Sequence, residues 1–382
     1  MYKEDKKLLQ EFQKSRNLTK QTINGYNTTI RLYTKTQGKS FKKLLKEADT
    51  EEINGTRWKE RKLKQRLINF RTYLIEQDYY EKTLKEYMNR IKTLYRHHEI
   101  EIHPLPPLSD KNIKRPAQVL YTDLPDKQQI QKILEISTTL QKALILFMCS
   151  SGCAKKETLN LTIQDFIEAT KDYHNSEDIF EVIQKLHDRE EIIPQFQIHR
   201  QKTNKYYITF CSPEATHAII NYLIDRKDTL KPEKKLFKIN EKYISDQFGE
   251  INRKLSLGNV GKYRKFRTHM LRKWHASMLK NDGMSMDDVN DLQGKSKGVT
   301  DQSYFYENPK KLKAKYIQHL DAITINLDVN NLDLKSPEYV KMEIDLQEKT
   351  DEVSTLNERV GSIEKILGDL GIGDIVDKVK KE

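Results

Sequence analysis

Four widely separated stretches of this chain carry side chains that could together handle a phosphodiester. THMLRKWHASML places His269 and Arg272 three residues apart, so a helix would set both on one face within reach of one ligand. LQGKSKGVTDQSYFY offers a Gly-marked turn, then Lys295, then Tyr304. QKTNK reads as a hairpin turn holding Lys202. In SSGCAKKETLNLTIQDF an apolar helix ends at Gly152 and another starts near Glu157, with Lys155 and Lys156 between them.

The residue types point to one chemistry. A phosphodiester attacked by an alkoxide or phenoxide gains negative charge on its non-bridging oxygens in the transition state. Arg, Lys and His donors placed in advance stabilise that charge, and removing one costs roughly 10²–10³ in rate. A tyrosine nucleophile forms a covalent phosphoenzyme and divides one hard step into two reversible ones. A lysine can protonate the leaving oxygen. No carboxylate cluster suggests the Mg²⁺ site of a metal-dependent nuclease. Cys149, Cys153 and Cys211 form no metal-ligand spacing, and an odd count argues against a disulfide framework. The inventory fits phosphoryl transfer that uses no metal and no cofactor.

Such groups need elements to position them. The 382 residues are enough for two domains and a tail. Residues 1–103 read as helices: Thr19 is a candidate N-cap, and Ile23, Tyr26, Ile30 and Tyr33 recur at helical spacing. Pro104, Pro106, Pro107 and Pro116 interrupt the pattern, and residues 104–118 read as an interdomain linker. Residues 119–325 read as a second domain, mainly helical with a small antiparallel sheet. Its β signal covers FEVIQKLH and IIPQFQIHRQKTNKYYITF, and Pro213 is placed to open the next helix. In residues 336–382, Leu346, Val353, Val360 and Leu367 recur every seven positions, followed three later by Leu356, Ile363 and Leu370. Lys349 interrupts one of those later positions. This predicts a self-associating coiled coil, the alternative being an amphipathic helix packed on its own domain.

Charge is distributed unevenly. Residues 1–118 hold 27 basic and 15 acidic side chains, whereas residues 336–382 hold 7 and 12. A basic front suggests a polyanionic partner. The opening MYKEDKKLLQ has no signal-peptide-like apolar stretch, and no run approaches the roughly 20 apolar residues of a membrane span. A soluble, cytoplasmic protein with no membrane partner is expected.

The order and spacing of the four stretches resemble the catalytic domain of tyrosine recombinases, the phage integrases and Xer-type enzymes. That family's pattern is Gly-x-Arg with Glu three residues after the Arg, a hairpin Lys, His-x-x-Arg, Leu-Gly-His, and Tyr nine residues beyond that His. Here Gly152 and Glu157 fit the first box, Lys202 the hairpin, and His269 with Arg272 the third; Tyr304 follows Lys295 by nine. The N-terminal helices, with QTINGYNTTIRLY, look like the family's SAM-like core-binding domain, so the resemblance spans about residues 8–320. It implies a site-specific recombinase that cuts and rejoins double-stranded DNA through a 3′-phosphotyrosyl link at Tyr304, without metal or ATP. It further implies a homotetramer on two DNA sites.

Two positions depart from the pattern. The first-box Arg is Ala154, and Lys155 is the expected substitute from one position along, although a Lys lacks the arginine fork. Lys295 stands where the family has His or Trp and can still donate to phosphate. His275 and Trp274 are expected to pack their helix, Tyr306 is a rival nucleophile to Tyr304, and His199 and Arg200 are candidates for touching DNA. A type IB topoisomerase, or a weakened recombinase that only binds DNA, are the alternatives.

Overall fold

The computed structural model describes residues 2–109, 113–201, 204–226, 228–295, 308–325, 353–356 and 360. The chain divides into two compact units, Met1–Gln118 and Val119–Glu382.

The first unit contains α1 (Lys3–Ser15), α2 (Lys20–Gln37), α3 (Phe41–Ile53), α4 (Lys62–Glu76) and α5 (Glu81–His97). In α2 the Thr19 hydroxyl accepts the Thr22 N–H at 3.2 Å, and the stripe Ile23, Tyr26, Ile30, Tyr33 is buried. The stripe ends in an aromatic core. Tyr33 meets Phe70 edge-on at 5.0 Å, and its hydroxyl bonds that of Tyr95 at 3.1 Å, so the burial leaves neither phenol unpartnered. The described residues of 104–118 contain no helix, but their groups are tied to the same unit. Arg71 donates to the Pro106 carbonyl at 2.7 Å, Glu81 N–H to the Lys114 carbonyl at 2.9 Å, and Lys114 to Asp78 at 2.6 Å.

The second unit is built around α7 (Thr139–Ser151), in which every residue from Ala143 to Ser151 is buried. A helix apolar on all sides belongs at the centre of a domain. Before it lies α6 (Lys127–Glu135); after it come α8 (Lys155–Asn160), α9 (Ile163–Ala169) and α10 (Ile179–His187). The segment FEVIQKLH, expected to extend, is helical within α10. Ile179, Val182, Ile183 and Leu186 form a buried helical stripe, and the Asp178 carboxylate caps the Phe180 and Glu181 N–H groups at 2.9 and 3.1 Å. Apolar spacing and a cap thus outweigh the β-branched composition.

A hairpin of β1 (Gln195–Arg200) and β2 (Lys205–Phe210) comes next, antiparallel from Gln195↔Phe210 to Arg200↔Lys205. Phe196 and Ile198 point into the core. Pro213 opens α11 (Pro213–Ile224) behind the cap Ser212. Then come α12 (Glu241–Lys254), a second two-stranded hairpin of β3 (Asn259–Val260) and β4 (Tyr263–Arg264), α13 (Thr268–Asn281), α14 (Met286–Leu292), α15 (Pro309–Gln318) and α16 (Leu320–Ile323). The fold is therefore mainly helical with small antiparallel sheets. Helix α13 packs on α7, α14 and α16, and α14 packs on β2, which gathers chain-distant segments around one end of α7. Val353–Leu356 is helical, and most of the heptad tail lies outside the described residues. Among the described residues no helix is long and apolar enough to cross a membrane.

Candidate active site

The end of α7 sets the geometry. Gly152 stops the helix in the left-handed region at φ 64°, where a side chain is strained. A Cβ there would also stand 2.5 Å from His275 Nδ1, so glycine lets α13 approach this closely. The turn exposes the Gly152 carbonyl, which accepts from Arg272 Nη1 at 2.6 Å. Ala154 begins the next helix without a capping side chain, and Glu157 folds back to accept its N–H at 2.7 Å.

Glu157 is the hub of the polar network at this end of the helix. It is 7% exposed, and its Oε2 also accepts from the Tyr207 hydroxyl at 2.9 Å and from Arg272 Nη1 at 3.4 Å. Arg200 Nε lies 3.5 Å from its Oε1. Burial raises the Tyr207 phenol well above its ordinary value, so it remains a donor to the carboxylate. On the other side of Arg272, Nη2 donates to the Gln293 carbonyl at 2.5 Å, and Gln293 Nε2 donates back to the Arg272 carbonyl at 2.9 Å. The same Nε2 lies 3.1 Å from His275 Nδ1. A guanidinium has five N–H groups. Arg272 commits three of them to Gly152, Glu157 and Gln293, which orients the rest; none of the others has a partner among the described residues.

His269 and Arg272 share one face of α13 and line one cavity of about 410 Å³ together with Lys273, Gln293 and Lys295. Among the other lining residues are Tyr121 and Leu124. His269 is exposed, yet partial desolvation and then the cations Lys273, Arg267, Arg272 and Lys295 hold its pKa below the imidazole norm. Partial burial, followed by Arg272 and Arg200, lowers the pKa of Lys295. These shifts share a second cause: positive groups crowd a space whose lining, among the described residues, includes no carboxylate, which is the electrostatics of an anion site. His275 and Trp274 are fully buried and serve packing; desolvation, then Arg272 and Lys295, push the His275 pKa down to about 3.

Of the residues singled out by sequence, the fold brings together Arg272, His269 and Lys295. Lys155 goes elsewhere: its Nζ lies 3.2 Å from Glu241 Oε1 and 3.3 Å from Ser245 Oγ, both on α12. Its expected replacement of the missing guanidinium finds no support in that arrangement. Tyr304, Tyr306 and Lys202 lie outside the described residues. Sequence reasoning missed Gln293, whose neighbours gave no hint of its two-way bond to Arg272, and Tyr207, an ordinary strand aromatic by pattern.

The model of the phage integrase family matches residues 125–311. Among solved structures, the chain is similar to the Tn1549 transposon integrase in complex with transposon right end DNA, at 15% identity and a TM-score of 0.50, covering 82% of this chain and 98% of that one. It also matches XerH site-specific recombinase bound to palindromic difH substrate (16% identity, 79% and 81% covered, TM-score 0.48). A lambda integrase tetramer bound to a Holliday junction matches at 11% identity (78% and 75% covered, TM-score 0.48). No curated protein matches.

Proposed function

Since the chain belongs to the phage integrase family of tyrosine recombinases through residues 125–311, we propose that the cavity of α13 and α14 receives the scissile phosphate of a DNA duplex. The observation that carries this reading is the trio His269, Arg272 and Lys295 lining one cavity, with Arg272 oriented in advance by Glu157, Gly152 and Gln293. Arg272 and Lys295 donate to the non-bridging oxygens, where charge grows in the transition state.

Tyr304 is the nucleophile. Its phenolic oxygen bonds to phosphorus, its proton passes to His269, and the bond to the 5′ oxygen breaks as Lys202 protonates the leaving group. His269 suits the role because its lowered pKa leaves it neutral and able to accept at neutral pH. The product is a 3′-phosphotyrosyl link and a free 5′-hydroxyl, and the hydroxyl of a partner duplex attacks that link in reverse. The phosphoester is conserved throughout, so exchange needs no external energy source.

Two duplexes have four strands to cut, one tyrosine each, which makes a tetramer on two DNA sites the working assembly. The first unit grips DNA largely through phosphates: it carries 27 basic residues against 15 acidic, and Arg31, Lys35, Tyr79 and Tyr87 line one surface hollow. DNA as substrate and three free, buried thiols fit the cytoplasm. The test is covalent trapping on a duplex nicked close to the cleavage site, selected from a randomised pool. Wild-type protein should form a stable protein–DNA adduct that Tyr304→Phe abolishes. Tight binding with no adduct would refute the reading.

A further inference from the structure

With alanine at position 154 and Lys155 held by α12, the phosphate so far has one arginine. A second guanidinium nevertheless stands beside Arg272. Arg200 closes β1, and its Nε lies 3.5 Å from Glu157 Oε1 while Arg272 Nη1 lies 3.4 Å from Glu157 Oε2. Arg200 Nη1 also donates to the carbonyl of Gly294, the residue before Lys295. One buried carboxylate therefore holds two guanidiniums, one on each oxygen, and offsets the repulsion that would otherwise part them.

An arginine in such a network can be a structural strut, and the same unit supplies a strut for comparison. Arg226 has a side chain 4% exposed and directs Nε, Nη1 and Nη2 to Asp228 and to the carbonyls of Lys235 and Leu236. Arg200 is different. Its side chain is 19% exposed, and its Nη2 has no partner among the described residues. Its charge reaches the cavity wall, since it is one of the causes that lower the Lys295 pKa, after partial burial and Arg272.

We propose that Arg200 is a second phosphate-binding arginine of the active site, supplying from the end of β1 the guanidinium that position 154 lacks. The inference rests on the function proposed above. Glu157 is then the positioning residue for both arginines, and Arg200 and Arg272 contact different non-bridging oxygens of the same phosphate.

The experiment uses full-length protein and the nicked duplex recovered from the randomised pool. Arg200→Ala is expected to slow single-turnover adduct formation by roughly 10²–10³, and Arg200→Lys to recover part of the loss because charge returns without the fork. A structural role is separated by a duplex whose scissile phosphate is a methylphosphonate. That group has one non-bridging oxygen replaced by methyl and carries no charge to neutralise. On it the Arg200→Ala deficit should shrink to about tenfold or less, whereas a misfolded variant would be equally poor on both duplexes. Near wild-type trapping by Arg200→Ala, or a deficit undiminished on the methylphosphonate, overturns the proposal. A wild-type protein that forms no adduct overturns the function and this inference together.

Discussion

The substitution Gly152→Ala tests the relay from the end of α7 to Arg272. A methyl group at φ 64° in the left-handed region costs about 1–2 kcal/mol in backbone strain alone. The new Cβ would also lie 2.5, 2.7 and 3.0 Å from Nδ1, Cε1 and Cγ of His275, a ring that is fully buried. That ring cannot swing into solvent, and overpacking of this kind costs roughly 1–3 kcal/mol. The sum is about 2–5 kcal/mol, or a melting transition of the second unit lowered by roughly 4–20 °C at 2–4 °C per kcal/mol.

Gly258→Ala is the control within the same unit. Its φ is 77°, and nothing lies within 4 Å of its would-be Cβ, so it should lose only the backbone share, about 1–2 kcal/mol. The displaced His275 must also disturb Gln293, and through it the Arg272 guanidinium, so the rate of DNA adduct formation in Gly152→Ala should fall by at least about tenfold. Thermal unfolding followed by near-UV circular dichroism, with single-turnover trapping beside it, reads both effects. Equal losses of stability in the two variants would show that the contact between Gly152 and His275 is not tight, and the reasoning would be wrong.

Three further outcomes are expected. The pKa of His275 is about 3 in the folded unit against 6.5 when free, so the unfolded chain takes up the proton first. Stability from this group is complete above about pH 6.5 and declines towards pH 3 by up to about 1.4 kcal/mol per unit; denaturant titrations should show that slope in the wild type and not in His275→Asn. Glu157→Gln keeps the shape of the hub but leaves two guanidiniums facing each other, and is expected to destabilise the second unit by roughly 2–4 kcal/mol and to slow trapping; a transition unmoved by the change would contradict the hub. In the first unit, the Arg66 guanidinium, then Lys39, holds Glu47 at about 2 against 4.5, even with partial burial opposing. Its contribution is present above pH 4.5 and lost as pH falls towards 2, so Arg66→Met should flatten the acid limb of that unit's unfolding curve.

Much of the architecture was legible in the chain because it depends on local physics. Thr19 and the stripe from Ile23 to Tyr33 define α2, Pro213 opens α11, and the apolar run ALILFMC ahead of Gly152 becomes the central helix, each a matter of spacing, caps and backbone freedom. His269 and Arg272 fall on one face of α13 because a helix repeats about every 3.6 residues. Local composition misled at FEVIQKLH, where β-branched residues suggested a strand and the stripe with its Asp178 cap decides for a helix. Tyr304, Lys202 and most of the heptad tail rest on sequence alone, since they lie outside the described residues.

What the sequence by itself determined is the order of the elements, the chemical kinds of residue at the site and the positions where helices must stop. Only the tertiary structure decided which charges share a space. Lys155 and Arg200 flank the same gap at position 154, and nothing local distinguishes them. Their fates depend on the packing of α8 against α12, which gives Lys155 to Glu241, and on β1 ending beside Glu157, which gives Arg200 to the hub. The reason is physical: spacing along a helix or strand is set by bonded geometry a few residues long, whereas the pairing of buried charges is set by contacts between segments far apart in the chain.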